Sequence, residues 1–460
     1  MRKQVHPDLA LLLEPEHQSI CCMVLPTSAC DLEGLQPFHR YQDDEVTALL
    51  FDHVGEISLF MQQAETALEA AGCHAGMSGP FALSVSARGC LEKARIALET
   101  GLKHAPEKRL YTMGEFGETA LIEACASALE ATGFCAEDFC DDVVLKLEEI
   151  DRTEQTQYVQ SLRGYLENEL DLKQAAMIQG IHRNTLAYRI RRIQERFSLD
   201  LENKNTCFEL LFSFWLRTHF PGEKRERHAA AKRGVEETVL WQYAQRRRSR
   251  ETNTACPICI CYVETGHLSD SERDEMILKL SGMSDACAFH EEEIYLACAP
   301  EEIDRLAADA AKICDALNCP IVVSGVFDSD RIRQKMALCR WAAAMSGPGV
   351  VYLRDIASTL FFAAVSRYVS LSPYLSEEVI RVMDEDATKG SSLSRSLFVF
   401  LLNFNDMKEA AGKLGMHRNT MEYQMRKIES FIGGPLDKRR RFMMMCTYRM
   451  LALPDMDVLP

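Results

Sequence analysis

The chain lacks any apolar run of the length a membrane span requires. Its opening, MRKQVHPDLALLLEPEHQ, has too short an apolar stretch, broken by acids and Pro15, for a signal peptide. A cytoplasmic protein with no membrane contact is expected. Positive charge is also in deficit, with 52 Lys and Arg against 68 Asp and Glu and a net charge of -16. That excludes indiscriminate coating of nucleic acid and leaves open a basic face confined to one helix. Cysteine is plentiful at 18, but pairs at metal-ligand spacing are scarce. Most cysteines sit among apolar residues, as buried reduced thiols do. The cluster Cys256-Pro-Ile-Cys259-Ile-Cys261 would hold zinc only with a fourth ligand from elsewhere, and no second paired motif follows. Because Ser19-Ile-Cys-Cys-Met-Val-Leu25 occupies the same place in the first half, a β-strand with small apolar side chains is expected there. Neither metal nor cofactor is implied.

What the chain does have is a repeat. Ile181-His-Arg-Asn-Thr-Leu-Ala-Tyr188 recurs as Met416-His-Arg-Asn-Thr-Met-Glu-Tyr423, and a register of 235 residues holds without a gap from Leu166/Leu401 to Leu201/Leu436. Of those 36 positions 15 are identical, among them Asp171/Asp406, Lys173/Lys408, Gly180/Gly415 and Ile193/Ile428. Repetition on this scale sets the architecture. Each copy reads as helix, tight turn, helix. In the second, Asn405 or Asp406 caps a helix running to about Leu414, Gly415 supplies the left-handed residue that ends it, and a new helix runs to about Phe431.

In the second helix of copy one, Leu186, Ile190, Ile193 and Phe197 share one stripe at 100° per residue. Thr185, Tyr188, Arg189, Arg192 and Arg196 gather roughly 60–160° away from it. A helix that enters the major groove needs this division, with apolar contacts to its scaffold and Arg, Asn and Thr reaching bases and phosphates. An ordinary solvated helix would show a similar charge run, but duplication of the outward His-Arg-Asn-Thr favours recognition, since packing requires only the stripe.

Tyr165 to Leu201 and Leu401 to Leu436 both resemble the C-terminal helix-turn-helix of the PucR/CdaR family of bacterial transcription regulators. The resemblance implies sequence-specific binding of double-stranded DNA. The residues matching the recognition segment are His182, Arg183, Asn184, Thr185, Tyr188 and Arg189, joined on the same face by Arg192 and Arg196; the second copy offers His417, Arg418, Asn419, Thr420, Tyr423 and Lys427. Copy two departs from the pattern: Ala187 and Arg189 become Glu422 and Gln424, Arg192 becomes Lys427 and Arg196 becomes Phe431, so its outward face loses most of its positive charge.

The repeat extends upstream. Ser78-Gly79-Pro80-Phe81 corresponds to Ser324-Gly325-Val326-Phe327, and Arg109–Met113 to Val350–Arg354. Each half reads as a strand (Ile20–Leu25; Ile258–Val263) and then a hairpin (Ala48–Phe51 with Ile57–Phe60; Ala286–Phe289 with Ile294–Cys298). A helix follows (Gln62–Ala71; Glu301–Leu317), then a strand ending in Ser-Gly, a helix (Leu91–Gly101; Ile332–Met345) and a short strand carrying a Tyr. The fold class is therefore α+β, a sheet covered by helices. Joined to the PucR-like helices, this order resembles the GGDEF-like domain that precedes the helix-turn-helix in that family, and implies two degenerate GGDEF-like α/β sandwich domains, each followed by an all-α helix-turn-helix domain. The hairpin turns, taken as Asp52-His53-Val54-Gly55-Glu56 and His290-Glu291-Glu292-Glu293, lack the glycine pair of active diguanylate cyclases. Both domains are expected to be catalytically silent.

The expected domains are 15–116, 117–220, 255–356 and 357–460, with a basic linker at 221–254 holding nine Lys/Arg against five Asp/Glu. That linker reads equally as a mobile basic tether and as an exposed helix around Val235–Tyr243 docking through Leu240 and Trp241. The resemblance gives no inducer site, as only about 15 residues precede the first α+β part where the family usually places a sensing domain. It leaves room for an unidentified small-molecule effector and a homodimer. A protein-interaction regulator with degenerate helices is the alternative function, and a nucleotide cyclase the third.

Overall fold

A computed structural model describes residues 20–26, 32, 34–37, 39–42, 46–52, 57–79, 87–221, 235–247, 257–284, 286–327, 329–432 and 436–453. The first half runs β1 (Ile20–Pro26), β2 (His39–Gln42), β3 (Val46–Asp52), α1 (Ile57–Ala71), β4 (Ala75–Met77), α2 (Ala87–His104), β5 (Leu110–Thr112), α3 (Met113–Thr132) and a 3-10 turn (Ala136–Phe139). It continues with α4 (Asp142–Glu154), α5 (Tyr158–Glu167), α6 (Leu172–Ile178), α7 (Arg183–Phe197) and α8 (Lys204–His219). After α9 (Val235–Arg246) the second half runs β6 (Cys259–Glu264), α10 (Asp270–Ser281), β7 (Ala286–His290), β8 (Glu293–Cys298), α11 (Ile303–Cys314), β9 (Pro320–Val323), α12 (Ile332–Met345), β10 (Gly349–Tyr352) and α13 (Ala357–Ser366). A 3-10 turn (Ser372–Tyr374) then leads into α14 (Glu377–Lys389), α15 (Leu393–Leu402), α16 (Met407–Lys413), α17 (Arg418–Ile432) and α18 (Lys438–Leu451).

The chain forms two compact units, and each takes its sheet from one half and its helical bundle from the other. The first combines Met1–Ala128 with Tyr368–Leu451, the second Leu129–Arg367 with Ala452–Pro460.

In the first unit the sheet order is β2-β3-β1-β4-β5, antiparallel except for the parallel pair β4 and β5. The side chains of β1 alternate between two cores. Cys22 and Val24 pack with Ala94, Ala97 and Leu98 of α2, whereas Met23 and Leu25 pack with Ala64, Ala67 and Leu68 of α1. A strand buried on both faces reads as a continuous apolar run, which is what Ile-Cys-Cys-Met-Val-Leu supplies. The bundle α14 to α18 completes this unit; there the Ser376 amide, just before α14, donates to Thr447 Oγ1 on α18 at 2.9 Å.

One expectation is corrected here. Ile57–Phe60 is not the second hairpin strand but the first turn of α1, and the hairpin partner of β3 is β2, with His39 opposite Leu50. Ile57, Phe60, Met61, Ala64 and Leu68 recur at helical spacing and turn one apolar face to the sheet, so the wider period decides over four apolar-looking residues. His53, Val54, Gly55 and Glu56 lie outside the described residues.

In the second unit the order is β7-β8-β6-β9-β10, the same topology, again with one parallel pair, β9 and β10. Here the expected hairpin is observed, with Phe289 opposite Ile294. Cys259, Cys261 and Val263 of β6 pack with Leu306, Ala307, Ala310 and Cys314 of α11. The cysteine cluster is thus strand: Cys259 and Cys261 are buried free thiols, raised well above their usual pKa by burial, and Cys256 lies outside the described residues. Among the described residues no group of three or more His, Cys, Asp or Glu is disposed to hold a metal. No helix among them is long and apolar enough to cross a membrane. Of the two readings of the linker, Val235–Arg246 forms a helix: α9 lies against β7 with Leu240, Tyr243 and Ala244 buried and Trp241 half-buried.

The bundle α4 to α8 joins this unit through an aromatic cluster. Phe361 of α13 meets Phe139 at 5.5 Å and Phe212 of α8 at 5.4 Å between ring centroids. The buried Glu209 carboxylate of α8 accepts from the amide and hydroxyl of Ser358 on α13, both at 2.8 Å. Two hydrogen bonds from a single residue compensate a buried carboxylate that would otherwise be costly.

Candidate nucleic-acid interface

Both helix-turn-helices are built by the same local devices. Asp171 caps α6, its Oδ1 accepting from the amides of Lys173 and Gln174 at 2.8 and 3.0 Å; Asp406 caps α16 through Lys408 and Glu409, both at 2.9 Å. The two amides hold the Asp171 carboxyl below its usual range. Ala175 and Ala176, like Ala410 and Ala411, are buried against the second helix, where only small side chains permit close approach. Gly180 and Gly415 then adopt φ of 66° and 65°, the left-handed turn that glycine accepts without strain.

The second helix begins at a histidine in each copy. His182 Nδ1 accepts from the Asn184 amide at 3.2 Å, and His417 Nδ1 from the Asn419 amide at the same distance. Both residues of the expected recognition set thus act as caps. The residues that follow, Arg183, Asn184 and Thr185 in α7 and Arg418, Asn419 and Thr420 in α17, are exposed, as are Tyr188 and Tyr423. Leu186, Ile190 and Ile193 are buried, as their periodicity predicts. Phe197 is only half-buried.

The basic residues further along divide into two kinds. Arg189 is half-buried and donates from Nη1 to Ser161 Oγ on α5 at 3.1 Å; in the second copy the Ser396 hydroxyl donates to Gln424 Oε1 at 2.6 Å. This position therefore ties the second helix to its neighbour in both copies. Arg192 and Arg196 are exposed, with Glu195 3.9 Å from the first and Glu154 of α4 3.3 Å from the second. They border a shallow groove with Tyr158 and Phe197. Lys427 is half-buried and pairs with Glu385 of α14 at 3.3 Å, so its charge is largely spent inside the unit. Arg191 and Arg426 are exposed in both copies and stand at identical register, a repeat that sequence reasoning passed over; the identity itself was the available signal.

The charge balance of the two helices differs accordingly. Helix α7 carries five arginines and one glutamate, whereas α17 carries three basic residues and two glutamates.

The model of the PucR C-terminal helix-turn-helix domain matches residues 158–216 and 393–446. The chain carries this domain twice. Both matched spans include the first helix, the glycine turn and the exposed His-Arg-Asn-Thr just described. The DNA-binding transcriptional activator AdeR of Bacillus subtilis (strain 168) is 28% identical over 127 residues, which is 27% of this chain and 29% of the relative's length. The chain thus matches under a third of that protein. A crystal structure of a regulator of polyketide synthase expression from Bifidobacterium adolescentis aligns with 49% of this chain and 94% of its own at 12% identity. Its TM-score of 0.21 is too low to bear on the fold.

Proposed function

We propose that this protein is a sequence-specific DNA-binding transcription regulator of the PucR/CdaR type with two reading heads in one chain. The observation that carries the proposal is the doubled presentation of His-Arg-Asn-Thr and Tyr, exposed at the start of a second helix that is capped and turned identically in α7 and α17. Asn and Arg there suit the edges of adenine and guanine, and exposed hydroxyls and guanidiniums suit phosphates. The name of the Bacillus relative points the same way. Most such factors obtain two heads by dimerising, and here a tandem repeat supplies them. The domains proposed are 15–116 and 255–356 for the sheets, and 117–220 and 357–460 for the helical parts.

Selection of bound sites from a random duplex pool, followed by gel shift at rising salt, tests this. Specific sites should emerge, and affinity should fall steeply as salt displaces phosphate contacts. Absence of any salt-sensitive binding by the folded full-length chain would favour a protein-interaction regulator instead.

We read the two sheet domains as catalytically silent, GGDEF-like scaffolds for the helical parts. Phosphoryl transfer needs metal-holding acids and close backbone approach to phosphate, and the β7–β8 turn offers Glu291, at φ 48°, and Glu292 without a glycine pair. Incubation with GTP and magnesium should yield no cyclic dinucleotide; product that falls with Glu293→Ala would make the protein an enzyme.

A further inference from the structure

We infer that each half of the chain is completed by the other: the sheet of one half is the docking surface for the helix-turn-helix of the opposite half, held by one clasp built twice. In the first unit the Gly79 amide, in the loop after β4, donates to Glu377 Oε1 at 2.9 Å, and Glu377 is the first residue of α14. Lys93 of α2, only 9% exposed, donates from Nζ to the Leu375 carbonyl at 3.0 Å, and Tyr374 packs into the α2 side of the core. In the second unit the Val326 amide, beside Gly325 after β9, donates to Asp142 Oδ2, and Asp142 is the first residue of α4. Lys335 of α12, only 5% exposed, donates to the Asp138 carbonyl at 3.2 Å, and Phe139 is buried against Phe361.

These parts recur in the same places, with the donor amide shifted by one residue (Gly79, Val326) and the lysine's carbonyl acceptor by two (Leu375, Asp138). Asp142 and Glu377 are 235 residues apart, as are Phe139 and Tyr374, which is the register of the repeat itself. The Ser-Gly loops are alike too: Ser78 Oγ accepts from the Cys22 amide at 3.0 Å and Ser324 Oγ from the Ile260 amide at 2.8 Å, fixing the loop on the central strand. In each unit the partners lie in opposite halves, 298 and 282 residues apart in one and 184 and 197 in the other. Incidental packing would not place a loop amide on a helix-initiating carboxylate, and a buried ammonium on the turn before it, twice. A buried lysine lacking its acceptor would be strongly unfavourable, and a carboxylate at a helix start is favoured by the helix dipole, so both contacts hold the bundle of the opposite half on its sheet.

A Cβ at Gly79 would run into the Glu377 carboxylate, and one at Gly325 into that of Asp142. Hydrogen exchange of the full chain therefore distinguishes crossed from uncrossed halves without recourse to DNA. Gly325→Ala should speed amide exchange several-fold in α4 and leave α14 unchanged, while Gly79→Ala should do the reverse. Asp142→Asn and Glu377→Gln, which leave the loops intact, should give the same crossed pattern more weakly. Faster exchange in the helix of the same half as the substitution would overturn the inference. As a second measurement, a protease site placed within 222–234 is cut after folding. The two halves should co-elute on gel filtration at dilute concentration, and elution as two separate folded halves would overturn it equally.

Discussion

Arg189 Nη1 lies 3.1 Å from Ser161 Oγ, so an arginine on the outward side of α7 is partly committed to the helix behind it. The equivalent Gln424 makes the same connection from Ser396 with no charge. The position therefore has one structural requirement, a hydrogen-bonding group within reach of a buried serine, and one optional property, a positive charge.

Arg189→Gln should accordingly leave stability within about 0.5 kcal/mol, because the bond can be re-formed. It should reduce the salt dependence of DNA binding by about one phosphate contact. Thermal unfolding and a salt series of gel shifts check the two halves of this expectation. A substitution that destabilises the fold but leaves the salt slope intact would reduce Arg189 to a purely structural residue.

The heads should be unequal. Arg183→Ala in the full-length chain should weaken binding by about 1–3 kcal/mol if the arginine reaches a base edge. Arg418→Ala should cost less, because α17 carries fewer basic residues and more glutamates than α7 and Lys427 is already paired with Glu385. Titration of both variants against the selected site decides it, and a larger loss from Arg418→Ala would reverse the assignment of the stronger head.

Much of this was legible from the sequence because the repeat acts as an internal control. Asp406 as cap, Gly415 as the left-handed stop and the buried stripe Leu186, Ile190 and Ile193 are local consequences of residue type and spacing, and all stand where the pattern places them. The hairpin of the first half was misjudged because Ile57–Phe60 fits a strand over four residues and a helix over fifteen, and only the longer window separates them. Arg189 and Lys427 look outward on a helical wheel; their bonds to Ser161 and Glu385 come from helices that a wheel does not contain. The crossing of sheet and bundle between halves has no local signature at all, since Gly79 and Glu377 are 298 residues apart and each is unremarkable in its own segment.

The thiols of β6 should behave as core. Cys259 and Cys261 are buried and their ionisation is disfavoured by burial, so an uncharged thiol is the resting form. Their modification by a thiol reagent should proceed only as fast as the sheet opens, and should accelerate sharply in denaturant. Mass spectrometry of partially modified protein would show which cysteines react; early labelling of Cys259 or Cys261 in the native protein would count against a closed sheet.

Asp141 gives a pH dependence whose sign can be worked out. It is buried at the start of α4, with its carboxylate accepting from the Val143 amide at 2.8 Å, and burial first, then the neighbouring Asp142, raises its pKa from 3.8 to about 6. Between these values the folded state keeps the proton that the unfolded chain releases, so stability falls as pH rises through this window. The penalty is absent below the unfolded pKa and complete above about pH 6, on the order of 2–3 kcal/mol. Asp141→Asn, which retains a capping oxygen, should remove this contribution and flatten the loss of stability between about pH 4 and 6. Urea midpoints of the full-length protein across that range provide the measurement. An unchanged slope in the variant would mean that the carboxyl is already ionised in the folded state at low pH, held by its amide rather than opposed by its burial.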